Sequence, residues 1–144
     1  MKPSSKALVI HNNKLLLFLR DNNPHITDPN KWNFLGGTIE EGEDAIFALK
    51  RELKEEANIN ALNITKIGEL DTWNGKNYMY IVRINDLDKE NIRLGDEGQK
   101  LQFFTFEELN NIELSRNLNA FLGEFSDSTK CLLEKGEDFN LSSK

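Results

Sequence analysis

Three glutamates stand close together in "GGTIEEGEDAIFALKRELKEEANI", the stretch from Gly36 to Ile59. On a helix, residues three and four positions apart are neighbours, so Glu52 would lie beside Glu55 and Glu56 on one face. Each like-charge pair costs roughly 0.2 to 0.5 kcal/mol even when it is exposed to solvent. A row of carboxylates therefore needs either neutralising side chains or a bound cation.

Both explanations are open from the residues alone. On a solvated acidic face, Lys50, Arg51 and Lys54 would neutralise the carboxylates. The alternative is a metal site, because Gly36 and Gly37 precede the helix and leave backbone groups accessible to a close ligand. Mg²⁺ in proteins takes a few carboxylate oxygens together with waters and substrate phosphate oxygens. A row of hard oxygen ligands beside such a loop favours a divalent-cation site.

The helix that carries the glutamates is predicted from its period. Apolar residues recur every four positions from Ala45 to Ala57, which is one face of an amphipathic helix. Glu43 and Asp44 fall in its predicted first turn, where negative charge suits the helix dipole.

Strand-like runs precede this helix. Residues Ala7 to His11 and Lys14 to Arg20 are joined by Asn12-Asn13, a pair that tolerates the positive φ of a hairpin turn. Residues 21–31 are rich in turn formers and predict a loop. Residues 32–35 then form a short apolar segment that leads to the glycine pair.

A second hairpin is predicted after the helix. Residues Ile64 to Trp73 and Tyr78 to Ile84 flank "NGKN", residues 74–77, in which the Asn74-Gly75 pair is a strong hairpin signal. Residues Lys100 to Phe104 predict a further strand.

Helices are predicted near the end of the chain. Thr105 to Glu108 fits a capping box that opens a short helix, and Ser115 fits the cap of another. Residues from about 136 to 144 are polar and expected to fray. The order of elements predicts an α/β (α+β) fold, a mixed sheet with helices packed on it, as one domain of residues 1–144.

Composition narrows the classes of function. The chain of 144 residues is 38% hydrophobic and 29% charged, which is typical of a globular protein. A net charge of -6 disfavours binding to a nucleic-acid polymer, although a small anionic ligand stays open if a cation mediates. One cysteine and two histidines make a zinc site improbable. The absence of a long apolar run favours a cytoplasmic protein without a membrane span.

The acidic stretch closely resembles the Nudix box, in which a glycine, five residues, a glutamate and seven residues precede Arg-Glu, an aliphatic residue, any residue, Glu-Glu, any residue, glycine and an aliphatic residue. The matching positions are Gly37, Glu43, Arg51, Glu52, Leu53, Glu55, Glu56 and Ile59. Asn58 replaces the usual glycine. Because asparagine is the next best residue for the left-handed conformation that ends a helix, we expect this difference to affect helix termination rather than chemistry.

The resemblance extends beyond the box. "KWNFLGG" is similar to the tryptophan-containing strand of the family, with Leu35 where proline is frequent, and "EGQKLQFFTFEEL" is similar to a later acidic segment. The resemblance implies a Nudix-like α/β/α sandwich with a mixed β-sheet, in which the box forms a loop-helix-loop.

The resemblance also implies a chemistry. Nudix enzymes hydrolyse a nucleoside diphosphate linked to another group, by attack of water on phosphorus with Mg²⁺ or Mn²⁺ bound. By position, Glu52, Glu55 and Glu56 would be metal ligands, with the Gly37 carbonyl as a fourth. Arg51 would pair with acidic neighbours and hold the geometry of the cluster; otherwise it is an ordinary surface ion pair.

The general base stays open between Glu56 and Glu97. Glu97 lies in "GDEGQ", a loop that we expect to be flexible enough to swing toward the metals. A solvated loop acid with no role is an equally good reading of Glu97 from the sequence.

The substrate pocket is less well specified. Gly36 and Gly37 would let the substrate approach the backbone, and Trp73, Tyr78 and Phe103 could stack on a base, although aromatic residues in strands more often belong to the core.

The coenzyme A, NADH and ADP-ribose branches of the family carry extra motifs, the last two with prolines beyond the box. The three prolines of this chain all lie upstream of the box. Nucleoside triphosphates or related small nucleotides are therefore favoured, with the oligomeric state left open. The alternatives are a non-catalytic Nudix-like nucleotide-binding module and an isomerase.

Overall fold

A computed structural model describes residues 1–143 of the chain. Its strands form one mixed sheet in the order β3-β2-β1-β6-β5, with β4 paired to β1 and β7 paired to β2. The β1–β6 pair is parallel and the other pairs are antiparallel. The strands are β1 (Ser4–His11), β2 (Lys14–Leu19), β3 (Trp32–Asn33), β4 (Leu35–Thr38), β5 (Asn63–Thr72), β6 (Gly75–Arg83) and β7 (Lys100–Phe104).

Four α-helices accompany the sheet in the part of the chain described: α1 (Ala45–Ala57), α2 (Asp86–Glu90), α3 (Arg116–Glu124) and α4 (Ser126–Lys135). Short 3₁₀ turns lie at Glu107–Asn111, before α3, and at Leu141–Ser143, after α4. The short helix α2 is absent from the sequence prediction. Five residues with no buried side chain leave no apolar period to detect.

The two faces of the sheet are covered by different helices. One core contains Leu8, Ile81 and Met79 from the sheet with Phe121 and Leu132 from α3 and α4. The other contains apolar residues of α1 packed on the opposite face of the sheet, among them Leu49, Leu53 and Ala57. The layers are therefore α/β/α. Helix α1, which carries Glu52, Glu55 and Glu56, packs on one face of the sheet, and α3 and α4 pack on the other.

The first hairpin matches its sequence signal, whereas the second has a shorter turn than predicted. Asn12 and Asn13 join β1 to β2 with φ values of 48° and 64°. In the second hairpin Thr72 pairs with Gly75, so Trp73 and Asn74 form the turn in place of residues 74–77, and β6 begins at Gly75 rather than at Tyr78. Gly75 has a φ of 124° as the first residue of β6, so its conformational freedom is used at the strand end.

Helix α1 begins two residues later than its charge pattern predicts. Asp44 is the N-cap, and its side chain accepts from the Phe47 amide at 2.8 Å, so neither Asp44 nor Glu43 lies within the first turn. Asn58 ends the helix in the left-handed conformation, with φ 59° and ψ 34°, as its replacement of glycine predicts.

The capping residues predicted further along are in place. Thr105 and Glu108 exchange the two hydrogen bonds of a capping box before the first 3₁₀ turn. The Ser115 hydroxyl accepts from the Leu118 amide at the start of α3.

Contrary to the expected frayed tail, the segment after α4 packs on the protein. Leu141 is 7% exposed and lies against Gly68 of β5. The ring of Phe139 lies 6.4 Å from that of Phe121, and Asp138 pairs with Arg83 at 2.5 Å. Two apolar residues spaced by polar ones carry too weak a pattern to predict this. Lys144 lies outside the described residues.

None of the helices within residues 1–143 combines the length and apolar character needed to cross a membrane.

Candidate active site

The Gly36–Ile59 stretch forms one wall of a cavity of about 320 Å³. Of the residues proposed for the site, Gly36, Gly37, Glu52, Glu56 and Glu97 all line it. Other lining residues are Ser4, Lys6, Phe18, Arg20, Thr27, Asp28, Asn33, Thr38, Asn74, Asn77, Ser115 and Asn117.

The two glycines allow backbone and carboxylate to approach closely. Gly36 has a φ of 123°, and a Cβ there would lie 2.1 Å from the Ser5 carbonyl oxygen on β1. A Cβ on Gly37 would lie 2.5 Å from the Glu52 carboxyl carbon. A side chain at position 36 would clash with the backbone of β1, so the loop requires glycine there, whereas a side chain at position 37 would push the Glu52 carboxyl group aside.

Arg51 joins the loop before α1 to the glutamate face. Its Nε and Nη2 donate to the two carboxylate oxygens of Glu43 at 2.6 and 2.9 Å. Nη1 donates to Glu52 at 2.9 Å, and Nη2 also donates to the Thr38 carbonyl at 3.0 Å. The Arg51 hydrogen bonds hold the pKa of Glu43 down at about 2. The side chain thus fixes the entry to α1, and its contact to Glu55 is longer, at 3.4 Å.

Glu56 is the most enclosed of the three helix glutamates. Its Oε1 accepts from the Gly36 amide at 2.7 Å, which ties the helix to the glycine loop. Burial raises the pKa of its carboxyl to about 8, although this hydrogen bond and the Lys6 ammonium oppose the shift. Burial also raises the pKa of Glu52, against the effect of Arg51. A cation between these groups would relieve the cost of charging them.

A second cavity, of about 350 Å³, adjoins the first on the side of the helix. Its lining is entirely acidic: Glu52, Glu55, Glu56, Asp96 and Glu97. Glu97 borders both cavities, so it faces the helix glutamates without the loop movement that its flanking glycines suggest. Asp96 was missed by the sequence reasoning, although it is the direct neighbour of Glu97.

Two cations enter the first cavity, and the sequence reasoning missed both. Arg20 is engaged, since its guanidinium donates to the Thr27 carbonyl at 2.8 Å. The Lys6 ammonium makes no hydrogen bond or ion pair in the part of the chain described, and it lines the same cavity as Glu52 and Glu56. The sequence does contain a sign of this lysine. Lys6 shares one face of β1 with Leu8 and Ile10, and a charged residue is rare on the apolar face of an internal strand.

The opposite wall of the first cavity is made of amides and hydroxyls. The Asn117 amide donates to the Asn74 side chain at 2.9 Å, and the Ser115 hydroxyl lies 2.8 Å from the Asn33 side-chain oxygen. These residues come from three places in the fold: β3, the β5–β6 turn, and the start of α3 with its N-cap. No local spacing in the sequence could have grouped them.

The aromatic residues predicted for substrate binding are elsewhere. Tyr78 and Phe103 pack against the α1 core and do not line the cavity. Trp73 borders a neighbouring groove, where the Arg116 guanidinium lies 3.6 Å from its ring centre. Phe18 lines the cavity instead. Alternation along a strand does not reveal which face meets the cavity, so the sequence did not single out Phe18.

The acidic groups fit a magnesium ion by their chemistry. As they stand, no three acidic, histidine or cysteine side chains within residues 1–143 converge closely enough to hold a metal. Arg51 and the Gly36 amide currently occupy oxygens of Glu52 and Glu56. Mg²⁺ takes one or two carboxylates beside water and phosphate oxygens, so the carboxylates of this lining fit such a divalent cation by their chemistry.

A mixed sheet between helices, with a glycine loop leading into a helix of one arginine and three glutamates, is the arrangement that the Nudix box implies. A model of the NUDIX domain matches residues 1–127, and the chain belongs to the Nudix family.

Two relatives match part of the chain in sequence. An RNA pyrophosphohydrolase of Bradyrhizobium sp. (strain ORS 278) is 39% identical over 49 residues, 34% of this chain and 28% of the relative. Nudix hydrolase 5 of Arabidopsis thaliana is 30% identical over 80 residues, 53% of this chain and 26% of that protein. The matches thus span about a quarter of these relatives.

Among solved structures, the MutT Nudix hydrolase of Burkholderia pseudomallei has a TM-score of 0.70 at 21% identity, covering 85% of this chain and 95% of that one. This similarity establishes the fold.

Proposed function

We propose that the protein hydrolyses a pyrophosphate bond in a nucleoside diphosphate derivative, with a nucleoside triphosphate or a related nucleotide as the substrate. The observation that carries the proposal is the shared cavity of the glycine loop, Glu52, Glu56 and Glu97. Membership of the Nudix family supports it. Its relatives include an RNA pyrophosphohydrolase and a Nudix hydrolase, and these activities agree with this type of reaction.

Mg²⁺ is the proposed cofactor, with Mn²⁺ as an alternative. Glu52, Glu55 and Glu56 would hold it, together with the Gly37 carbonyl. When bound, the ion would polarise the attacked phosphoryl group, lower the pKa of water and offset charge on the leaving oxygens. Arg51 keeps the helix and the glycine loop in register for this task through its bonds to Glu43 and Thr38.

Lys6 is proposed to bind a non-bridging oxygen of the substrate phosphates. A phosphate chain brings several negative charges into a cavity that already holds carboxylates, so a cation within that cavity is needed beside the metal. Lys6 is free to donate to the substrate, whereas Arg20 is bound to Thr27.

Glu97 is proposed to accept the proton of the attacking water, with Glu56 as the second candidate. Glu97 borders both cavities and has no hydrogen-bond partner within residues 1–143, so its oxygens are available. Glu56 accepts from Gly36 and is better suited to hold the metal.

The nucleoside is proposed to lie against the amide wall of Asn33, Asn74, Asn77 and Asn117. Amide groups offer both donors and acceptors, which suits the edge of a base. Phe18 is the aromatic residue of this lining.

The alternative is a nucleotide-binding module without catalysis. Phosphate and pyrophosphate release across a nucleotide panel, measured with malachite green without and with added inorganic pyrophosphatase, separates the two functions. We expect release with Mg²⁺ and none with EDTA. Nucleotide binding without release at any divalent ion would favour the module instead.

A further inference from the structure

The segment between α2 and β7 runs along the C-terminal end of α1. The Asn58 side-chain amide donates to the Asn91 carbonyl at 2.8 Å. The Arg93 amide donates to the Ala57 carbonyl at 3.1 Å, and the Gly95 amide donates to the Glu56 carbonyl at 3.1 Å. The two stretches are thus joined in antiparallel order by three hydrogen bonds.

These bonds satisfy backbone groups that a helix end leaves open. The last four carbonyls of a helix have no partner inside it. At this end, the amides of Asn58 and Ile59 take the carbonyls of Lys54 and Leu53. The carbonyls that remain further along, at Glu56 and Ala57, are taken by the docked segment.

Gly95 allows the approach. A Cβ at this position would lie 1.9 Å from the Glu55 carbonyl oxygen, so no other residue fits without displacing the segment. Asp96 and Glu97 follow directly and face the acidic cavity. On the far side, the Gln99 amide donates to the Leu19 carbonyl at 2.8 Å. Hydrogen bonds at Gly95 and at Gln99 therefore hold the backbone on both sides of Asp96 and Glu97.

Asn58 is the residue at which this chain departs from the Nudix box. A glycine would adopt the same left-handed conformation and end the helix equally well. It could not reach Asn91, nor accept from the Lys54 ammonium, which lies 2.9 Å from the Asn58 side-chain oxygen. The side chain therefore has a task that helix termination does not explain.

We propose that Asn58 is a positioning residue, which docks the Asn91–Gly95 segment on α1 and thereby sets Glu97 beside the helix glutamates. The proposal rests on the proposed function for the role of Glu97, whereas the docking itself does not depend on activity.

Hydrogen–deuterium exchange tests the docking. Asn58→Asp keeps a side-chain oxygen for Lys54 but sets a carboxylate against the Asn91 carbonyl, and Asn58→Gly removes the side chain while keeping the helix end. Loss of one such hydrogen bond should speed exchange of the Arg93 and Gly95 amides by roughly 2- to 10-fold. Exchange within α1 should not change. Asn60→Asp, an exposed substitution with the same change of charge, is the control and should match the wild type.

Kinetics test the positioning. With the best nucleotide of the panel, both Asn58 variants should lower kcat by up to about 10-fold with little change in KM. In a Glu97→Gln background, Asn58→Asp should add no further loss, since it acts through Glu97.

Unchanged exchange at Arg93 and Gly95 would overturn the docking. An additive loss in the double variant, or a Glu97→Gln variant as active as the wild type, would overturn the positioning. A wild type that hydrolyses no nucleotide would instead refute the proposed function, and the exchange data would still judge the docking.

Discussion

Lys6 brings a positive charge into a cavity that Glu52, Glu56 and Glu97 also line. Burial lowers the pKa of its ammonium, while the Glu56 carboxylate opposes that shift. A buried cation without a direct partner is costly, which favours a ligand that completes the site.

Replacing this lysine should weaken substrate binding. We expect Lys6→Met to raise KM for the best nucleotide by roughly 10- to 100-fold, because a charge-assisted hydrogen bond to phosphate is lost. Steady-state kinetics provide the measurement. Lys14→Met, at the exposed start of β2, makes the same change of charge away from the cavity and should be silent. Equal effects of both variants would mean that net charge alone matters.

Glu97 and Glu56 are distinguished by the same kind of experiment. If Glu97 accepts the proton of the attacking water, Glu97→Gln should lower kcat by roughly 10²- to 10⁴-fold with little change in KM. A solvated acid would cost almost nothing. A silent Glu97→Gln beside an inactive Glu56→Gln would return the role of base to the helix.

Sequence reasoning predicts site residues that lie close together along the chain and misses those that only the fold brings together. The glutamates and Arg51 follow from helical spacing. Lys6 meets the glycine loop through sheet pairing, since it lies opposite Gly36 in β4, and local spacing carries no information on that pairing.

Helix α1 is oriented by contacts outside itself. Arg51 binds Glu43 before the helix, Glu56 binds Gly36, and the Ser5 hydroxyl donates to the Ala45 carbonyl at 2.6 Å. The helix was predictable from its apolar period, as was its Asn58 terminus. Its exact start was not, because Asp44 satisfies the Phe47 amide from outside the helix.

The Glu43–Arg51 pair should make stability sensitive to acid. Since the pKa of Glu43 falls from its ordinary 4.5 to about 2, the folded state binds this proton less readily than the unfolded state. The pair therefore stabilises the fold above about pH 4.5, and this contribution is lost as the pH falls toward 2. Urea unfolding should show a weaker dependence on pH over this window for Glu43→Gln than for the wild type. A parallel dependence in both proteins would show that Arg51 does not rely on Glu43.

Across the whole molecule, two cores support a site that lies where β1, β4 and α1 meet. The layers were predictable because strand and helix periods are long and regular. The packing of Leu141 on β5 was not, since one apolar residue near a polar chain end gives no period.

Magnesium should stabilise the whole fold. Arg51 offsets the repulsion among Glu52, Glu55 and Glu56 only in part, and a bound cation would relieve it further, so Mg²⁺ should raise Tm. At 100 times Kd, this binding adds about 2.7 kcal/mol to the free energy of unfolding. In EDTA, Glu55→Gln and Glu56→Gln should each have a slightly higher Tm than the wild type. Lower values for both in calorimetry would identify the carboxylates as structural ion-pair partners.

The central claim is that the helix glutamates carry a magnesium-dependent hydrolysis of a nucleotide pyrophosphate bond. Its most direct test is the turnover of the best nucleotide by wild type and by Glu56→Gln, side by side, in Mg²⁺ and in EDTA. We predict that wild-type turnover requires Mg²⁺ and that Glu56→Gln lowers it by roughly 10²-fold or more while the protein stays folded. Near wild-type turnover by a folded Glu56→Gln protein, or turnover that persists in EDTA, would contradict the claim.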